Sequence, residues 1–199
     1  MRRASAVCVI GATLVALIAH EAWASSDPVV ARLGWGRSNS VAWSPHGDLI
    51  AVGTRYSVAL LNPKTDDRTE LPAAFSGTSS VAFSPNGQLL AGGSFEEVRL
   101  WDVASRQQVV TFSRHGSSEC LAFSPDGALI ATGSTDHTMK LWDVASGQEI
   151  ATLTERARWY NFVSFGPNGS LIASGNHRTI MLWDVATKSL SQPERVSGR

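Results

Sequence analysis

The stretch CLAFSPDGALIATGSTDHTMKLWDV, Cys120 to Val144, decides how this chain folds. Cys120 to Phe123 is a short apolar run. Ser124-Pro125-Asp126-Gly127 then supplies a tight turn: proline presets φ, aspartate tolerates the next position and glycine takes φ > 0 at the exit. A second apolar run, Leu129 to Thr132, leads to a polar turn at Asp136-His137. A third run ends in Leu141-Trp142-Asp143. Three short strands joined by two tight turns make a meander.

The pattern recurs in both directions along the chain. SVAWSPHG (Ser40–Gly47), SVAFSPNG (Ser80–Gly87) and FVSFGPNG (Phe162–Gly169) repeat the turn, and the four prolines are spaced 40, 40 and 42 residues apart. VRLWDV (Val98–Val103) and MLWDV (Met181–Val185) repeat the last strand, so that Trp101, Trp142 and Trp183 are each 41 apart. In the first copy, VALLNP (Val58–Pro63), Leu61-Asn62 stands where the others have Trp-Asp. Between copies lie further β-prone runs at Asp67–Phe75, Gln107–Ser113 and Gln148–Thr154. Four strands per period, with no helical periodicity, predict an all-β repeat protein.

These units resemble the WD-repeat family of β-propellers, whose blades are four-stranded antiparallel sheets. The resemblance rests on the three Trp-Asp pairs and the SP[HND]G turns, and covers about residues 29–190. It sets repeats at about 29–63, 67–103, 107–144 and 148–185, within a domain spanning 25–199. A sheet that is apolar on both faces cannot bury itself, so stability is expected from stacking on neighbours. Leu100, Leu141 and Leu182 are expected on one face, and Trp101, Trp142 and Trp183 on the other. Asp102, Asp143 and Asp184 read as turn-formers. The family's usual hydrogen-bond network of His, Ser/Thr, Asp and Trp is matched only in the third copy, by Asp136, Thr132 or Ser134, Trp142 and nearby His115. The equivalent of Asp136 is Phe95, His177 or Arg55 in the other copies, which are expected to rely on packing.

Four copies leave three arrangements open. They could close a ring in one chain, supply half of an eight-bladed dimer, or form part of a larger propeller. The resemblance implies that Val29–Leu33 is an outer strand completing the last blade, whose own end at Lys188–Pro193 is weak.

Residues 1–24 read as a secretory signal peptide. Met1-Arg2-Arg3 is a positive head, Ala4–Ala19 is uncharged, and Ala22-Trp23-Ala24 is a small-x-small cleavage site. The alternative is an uncleaved anchor through residues 4–19. Either way the repeats are expected outside the cytoplasm, in the periplasm or the extracellular space. Removing the leader leaves a formal charge of −1 and Cys120 as the single cysteine. That excludes an internal disulfide framework, and neutral charge argues against nucleic acid as a partner. Cys120 lies in an apolar run and reads as a small buried hydrophobe.

No catalytic signature is present: no GxSxG, Walker loop, HExxH or CxxC. No cofactor or metal is expected; His137 and His177 share equivalent turns but lack further ligands. The expected function is non-catalytic: an exported protein-interaction scaffold with a protein or peptide partner. The alternatives are a ligand-binding or enzymatic propeller using a central channel, and a non-functional fragment. The resemblance gathers the turns between second and third strands and the links between blades on one ring face. That face would carry Arg55, Tyr56, Phe95, Arg114, His115, His137, Arg158, Trp159, Tyr160 and Arg178. Arg158, Trp159 and Tyr160 stand out, because they fall where the spacing stretches and are types enriched at interface hot spots.

Overall fold

The computed structural model of the protein describes residues 38–72, 77–94, 97–113, 118–154, 160–175 and 179–191. The signal peptide expected at residues 1–24 and the strand expected at Val29–Leu33 both lie outside them. Four antiparallel four-stranded sheets are built, each in simple sequence order. Blade 1 contains β1 (Ser38–Trp43), β2 (Ile50–Thr54), β3 (Ser57–Leu61) and β4 (Arg68–Pro72). Blade 2 contains β5 (Ser80–Phe83), β6 (Leu89–Gly93), β7 (Glu97–Asp102) and β8 (Gln108–Ser113). Blade 3 contains β9 (Ser118–Phe123), β10 (Leu129–Ser134), β11 (Thr138–Asp143) and β12 (Glu149–Thr154). Blade 4 contains β13 (Phe162–Phe165), β14 (Leu171–Gly175), β15 (Ile180–Asp184) and β16 (Ser189–Leu190).

The SPxG segments make the turn between the first two strands of a blade. In the third copy the Ser124 hydroxyl donates to Asp126 Oδ1 at 2.5 Å and accepts from the Leu129 amide at 2.9 Å. Ser84 and Ser44 hold the Leu89 and Leu49 amides in the same way. Gly47, Gly87, Gly127 and Gly169 end these turns at φ of 71, 72, 75 and 74°, a region where glycine carries no steric cost. The turns of successive blades also nest. His46 Nε2 lies 3.2 Å from the Asn86 carbonyl, and a Cβ at Gly127 would stand 3.4 Å from Pro85.

Side-chain alternation then gives every blade two apolar faces. Trp101 packs with Ala51, Val58, Leu60 and Leu71 of blade 1. Trp142 packs with Ala91, Val98, Leu100 and Phe112 of blade 2, its ring centroid 5.2 Å from that of Phe112. Trp183 packs with Ala131, Met139, Leu141 and Leu153 of blade 3. Each interface thus repeats one scheme: tryptophan from the following blade, small and aliphatic residues from the preceding one. Removing so large a buried side chain costs about 3–5 kcal/mol.

The innermost strands run in series, β1 against β5, β5 against β9 and β9 against β13. Among the described residues β13 and β1 share no packing of that extent, and no core cluster joins blade 4 to blade 1. The four blades therefore form an open arc, and the ring closed by one chain is not formed among these residues. The blade 4 end of the arc shows it. Leu182 was expected to behave like Leu100 and Leu141, which are 0% and 2% exposed, but it is 40% exposed, and Ile180 beside it is 71% exposed. On blade 1, Trp43 is 49% exposed at the rim of a face whose centre, Ile50, Ala59 and Leu61, is buried. Among the described residues the fourth strand of the last blade is β16, paired with Trp183 and Asp184.

The sequence period and the blade are out of phase. One period carries the outer strand of one blade and the three inner strands of the next, as β4 followed by β5, β6 and β7.

Candidate functional site

Antiparallel order sorts the turns to two ends of each blade. The β1–β2 and β3–β4 turns and their counterparts share one end; the β2–β3 turns and the links between blades share the other.

At the first end, the aspartates of the Trp-Asp pairs cap the turns. Asp102 Oδ1 accepts from the Ser105 amide and hydroxyl, both at 2.7 Å. Asp143 does the same with Ser146 and Asp184 with Thr187. In blade 1, Asn62 Oδ1 accepts from the Lys64 and Thr65 amides. These donors hold the Asp102, Asp143 and Asp184 carboxyls below their ordinary values. The Ser105 and Thr187 amides lead for Asp102 and Asp184, and the Ser146 hydroxyl leads for Asp143. A carboxylate stabilised this way is a poor proton donor or acceptor near neutral pH, which fits a structural role.

At the second end, Arg55 and Tyr56 form the β2–β3 turn. Thr54 frames it: its hydroxyl accepts from the Ser57 amide at 3.0 Å and donates to the Ser57 carbonyl at 2.9 Å. That leaves Tyr56 71% exposed, with the Arg55 guanidinium 5.5 Å from its ring centroid. Cation over aromatic face is an attractive arrangement. His137 occupies the matching turn of blade 3 at φ 70° and is exposed. Asp136 beside it accepts from the Thr138 amide at 2.9 Å and hydroxyl at 2.6 Å, so its carboxylate builds the turn.

Tyr160, expected as a surface anchor, is a core residue and is fully buried. Its amide donates to the Ser134 carbonyl at 3.4 Å, and its carbonyl accepts from Cys120 Sγ at 3.6 Å. A Cβ at Gly133 would lie 2.7 Å from Tyr160 Cβ, so the glycine makes room for it. Its position matches Thr78 of blade 2, whose amide reaches the Thr54 carbonyl at 2.9 Å. The residues that lead into blades 2 and 4 are thus both latched to the blade before, and the latch holds Tyr160 inward. Arg158, Trp159, Arg114, His115, Phe95 and Arg178 lie outside the described residues.

The tryptophan network is distributed differently from expectation. Trp142 Nε1 donates to Thr132 Oγ1 at 2.9 Å, and Trp183 Nε1 donates to Ser174 Oγ at 2.7 Å. The fourth copy therefore keeps the indole–hydroxyl half. Counting backward from tryptophan conceals it, since the intervals are ten and nine residues. Counting forward from the turn proline aligns Thr132, Ser174, Gly92 and Val52.

Among the described residues no group of three or more His, Cys, Asp or Glu could hold a metal ion, and no helix is long and apolar enough to cross a membrane.

A serial array of four-stranded antiparallel blades around apolar interfaces is a β-propeller architecture. The WD domain, G-beta repeat, matches residues 68–102, 106–143 and 147–184, together more than half of the chain. The chain belongs to this family, whose domains generally mediate protein interactions. No curated protein matches it in sequence. Among solved structures, Kuenenia stuttgartiensis hydrazine synthase is similar, with a TM-score of 0.71 at 15% identity. The likeness covers 78% of this chain and 48% of that one, so this chain spans about half the length of that structure. At such identity it shows the fold alone.

Proposed function

We propose that the chain is a non-catalytic interaction scaffold, exported from the cytoplasm, that docks a protein or peptide on the end of the arc carrying the β2–β3 turns. The observation that carries this reading is the Arg55–Tyr56 pair: a rigidly framed turn offers an aromatic ring 71% exposed with a cation over it. Arg and Tyr are the types that dominate interface energetics, and loops held by a rigid scaffold are where binding is placed. His137 shares that end, and the family resemblance implies the same end for Phe95, Arg114, His115, Arg158, Trp159 and Arg178. Export is supported by the positive head, the uncharged run and the small-x-small site within residues 1–24.

Capture of a partner by the full chain is expected to fall sharply in Arg55→Ala/Tyr56→Ala and in Arg158→Ala/Trp159→Ala, with circular dichroism unchanged. Retention of every partner by both double variants would sink the reading. Fusion of residues 1–30 to a reporter active only outside the cytoplasm tests export separately; a silent reporter would overturn that part.

A further inference from the structure

Two of the turns between first and second strands carry Asn-Gly, the dipeptide most open to a spontaneous change of covalent structure: Asn86-Gly87 in blade 2 and Asn168-Gly169 in blade 4. Glycine has no side chain to shield its amide nitrogen. That nitrogen can attack the asparagine Cγ. An N–Cγ bond forms and the Cγ–Nδ2 bond breaks. The amide proton leaves with the side-chain nitrogen as ammonia, and a succinimide remains. Water then opens the ring to aspartate or isoaspartate. Blade 3 has Asp126 at this position, which has no ammonia to lose, and blade 1 has His46.

The two asparagines begin alike. Both are exposed, and each following glycine amide donates within its turn, Gly87 to the Ser84 carbonyl at 2.8 Å and Gly169 to the Gly166 carbonyl at 3.0 Å. They differ in what restrains the side chain, which must leave its hydrogen bonds before Cγ can meet the glycine nitrogen. Asn86 Oδ1 accepts from the Ser84 hydroxyl at 2.7 Å and the Gln88 amide at 3.1 Å, and Nδ2 donates to Gln88 Oε1 at 3.1 Å. The Asn86 carbonyl also lies 3.2 Å from His46 Nε2, whose ring covers Gly87 closely. Asn168 Oδ1 is held by Ser170 alone among the described residues, through its amide at 3.1 Å and hydroxyl at 2.8 Å. Pro125, which has no side-chain donor, covers Gly169.

Gly166 accounts for part of this difference. It stands where Ser84 and Ser124 donate to the side chains of Asn86 and Asp126. A Cβ at Gly166 would lie 3.8 Å from Asn168 Oδ1 and 3.5 Å from the Leu171 carbonyl oxygen, both ordinary contacts. The turn therefore has room for the hydroxyl that it lacks.

We infer that Asn168 is a site of spontaneous deamidation, and that Asn86, in the same dipeptide and the same turn, is protected by its surroundings. The product carries a new negative charge at the point where the blade 4 turn nests on Pro125. As isoaspartate it also adds a carbon to the main chain there.

The test is a time course on the purified full chain in warm, mildly alkaline buffer. Peptide mapping by mass spectrometry resolves asparagine, aspartate and isoaspartate at each site. Asn168 is expected to convert about tenfold faster than Asn86, because two further hydrogen bonds hold the latter. In denaturant the two sites are expected to convert at similar rates. Gly166→Ser is expected to slow conversion at position 168 severalfold, and His46→Ala/Ser84→Gly to speed it at position 86, with melting temperature controlling for loss of fold. Equal rates in the folded chain, or a faster rate at Asn86, overturn the inference. So does a difference that persists in denaturant, which would place its cause in the flanking sequence, or a rate at Asn168 that Gly166→Ser leaves unchanged.

Discussion

Blades 3 and 4 carry nearly the same third strand, Met139-Lys140-Leu141-Trp142-Asp143 and Ile180-Met181-Leu182-Trp183-Asp184. In both, the tryptophan is buried against the preceding blade and its indole nitrogen reaches a hydroxyl. The leucines differ: Leu141 is 2% exposed and Leu182 is 40% exposed. The strand specifies two apolar faces, but burial of the second face is supplied by whatever stands next. Contribution to stability therefore belongs to the interface, as expected for a stacked array in which each unit meets only its neighbours.

That comparison can be broken by experiment. Leu141→Ala is expected to cost about 2–5 kcal/mol, and Leu182→Ala under about 1 kcal/mol in the monomer, read by chemical denaturation. Equal losses would show that the two faces are equally buried. The indole bond should instead make the blades alike. Thr132→Val and Ser174→Ala each strand a buried indole N–H, and each is expected to lower stability by about 1–3 kcal/mol. A smaller loss in one blade would mean that its indole finds another acceptor.

The turns after the tryptophans sharpen the contrast at smaller scale. Blade 3 has Gly147 at φ 71°, whereas blade 4 has Lys188 at φ 55°. Lys188→Gly is expected to raise stability by about 0.5–1 kcal/mol by relieving the left-handed conformation. No rise in melting temperature would count against strain at that turn. The smallest effect concerns pH. Asp126 is held below its ordinary value, first by the Ser124 hydroxyl and then by the Ala128 amide. Blade 4 has neutral Asn168 at that position, where Gly166 replaces the serine. A depressed folded-state value means stability fully present above the unfolded carboxyl value and lost as pH falls through the folded one. Asp126→Asn should therefore lose less melting temperature than wild type between about pH 7 and about pH 3. An identical acid loss would place the sensitivity elsewhere, in Asp48, Asp102, Asp143 or Asp184, whose values are also lowered.

Most of the architecture was legible because its signals are local. The SPxG turns require glycine at positive φ, and strand alternation puts Leu100 and Trp101 on opposite faces, so prolines and tryptophans alone placed the inner strands. The outer strands expected at Gln107–Ser113 and Gln148–Thr154 appear as β8 and β12, each beginning one residue later. What failed was whatever depends on a neighbour. Leu182 reads like Leu141 because sequence states which face a side chain takes, not what covers that face. Tyr160 reads as a loop aromatic, yet the space beside Gly133 and Cys120 draws it inward. Signal for Ser174 existed in the interval from the turn proline, and was hidden by the shorter interval to Trp183. Of the candidate binding residues, Arg55, Tyr56 and His137 were found at one exposed end. Arg158 and Trp159 lie outside the described residues.

The phase shift between period and blade bears on how such a molecule can grow. Copying residues 68–102 would not insert a free-standing sheet. It would hand the blade behind it an outer strand and hand the blade ahead its three inner ones. Every join between copies is thereby a covalent stitch across an interface. An array of this design can lengthen by whole periods while leaving no interior sheet short of a strand, and only its two ends ever carry the debt of an unmet face.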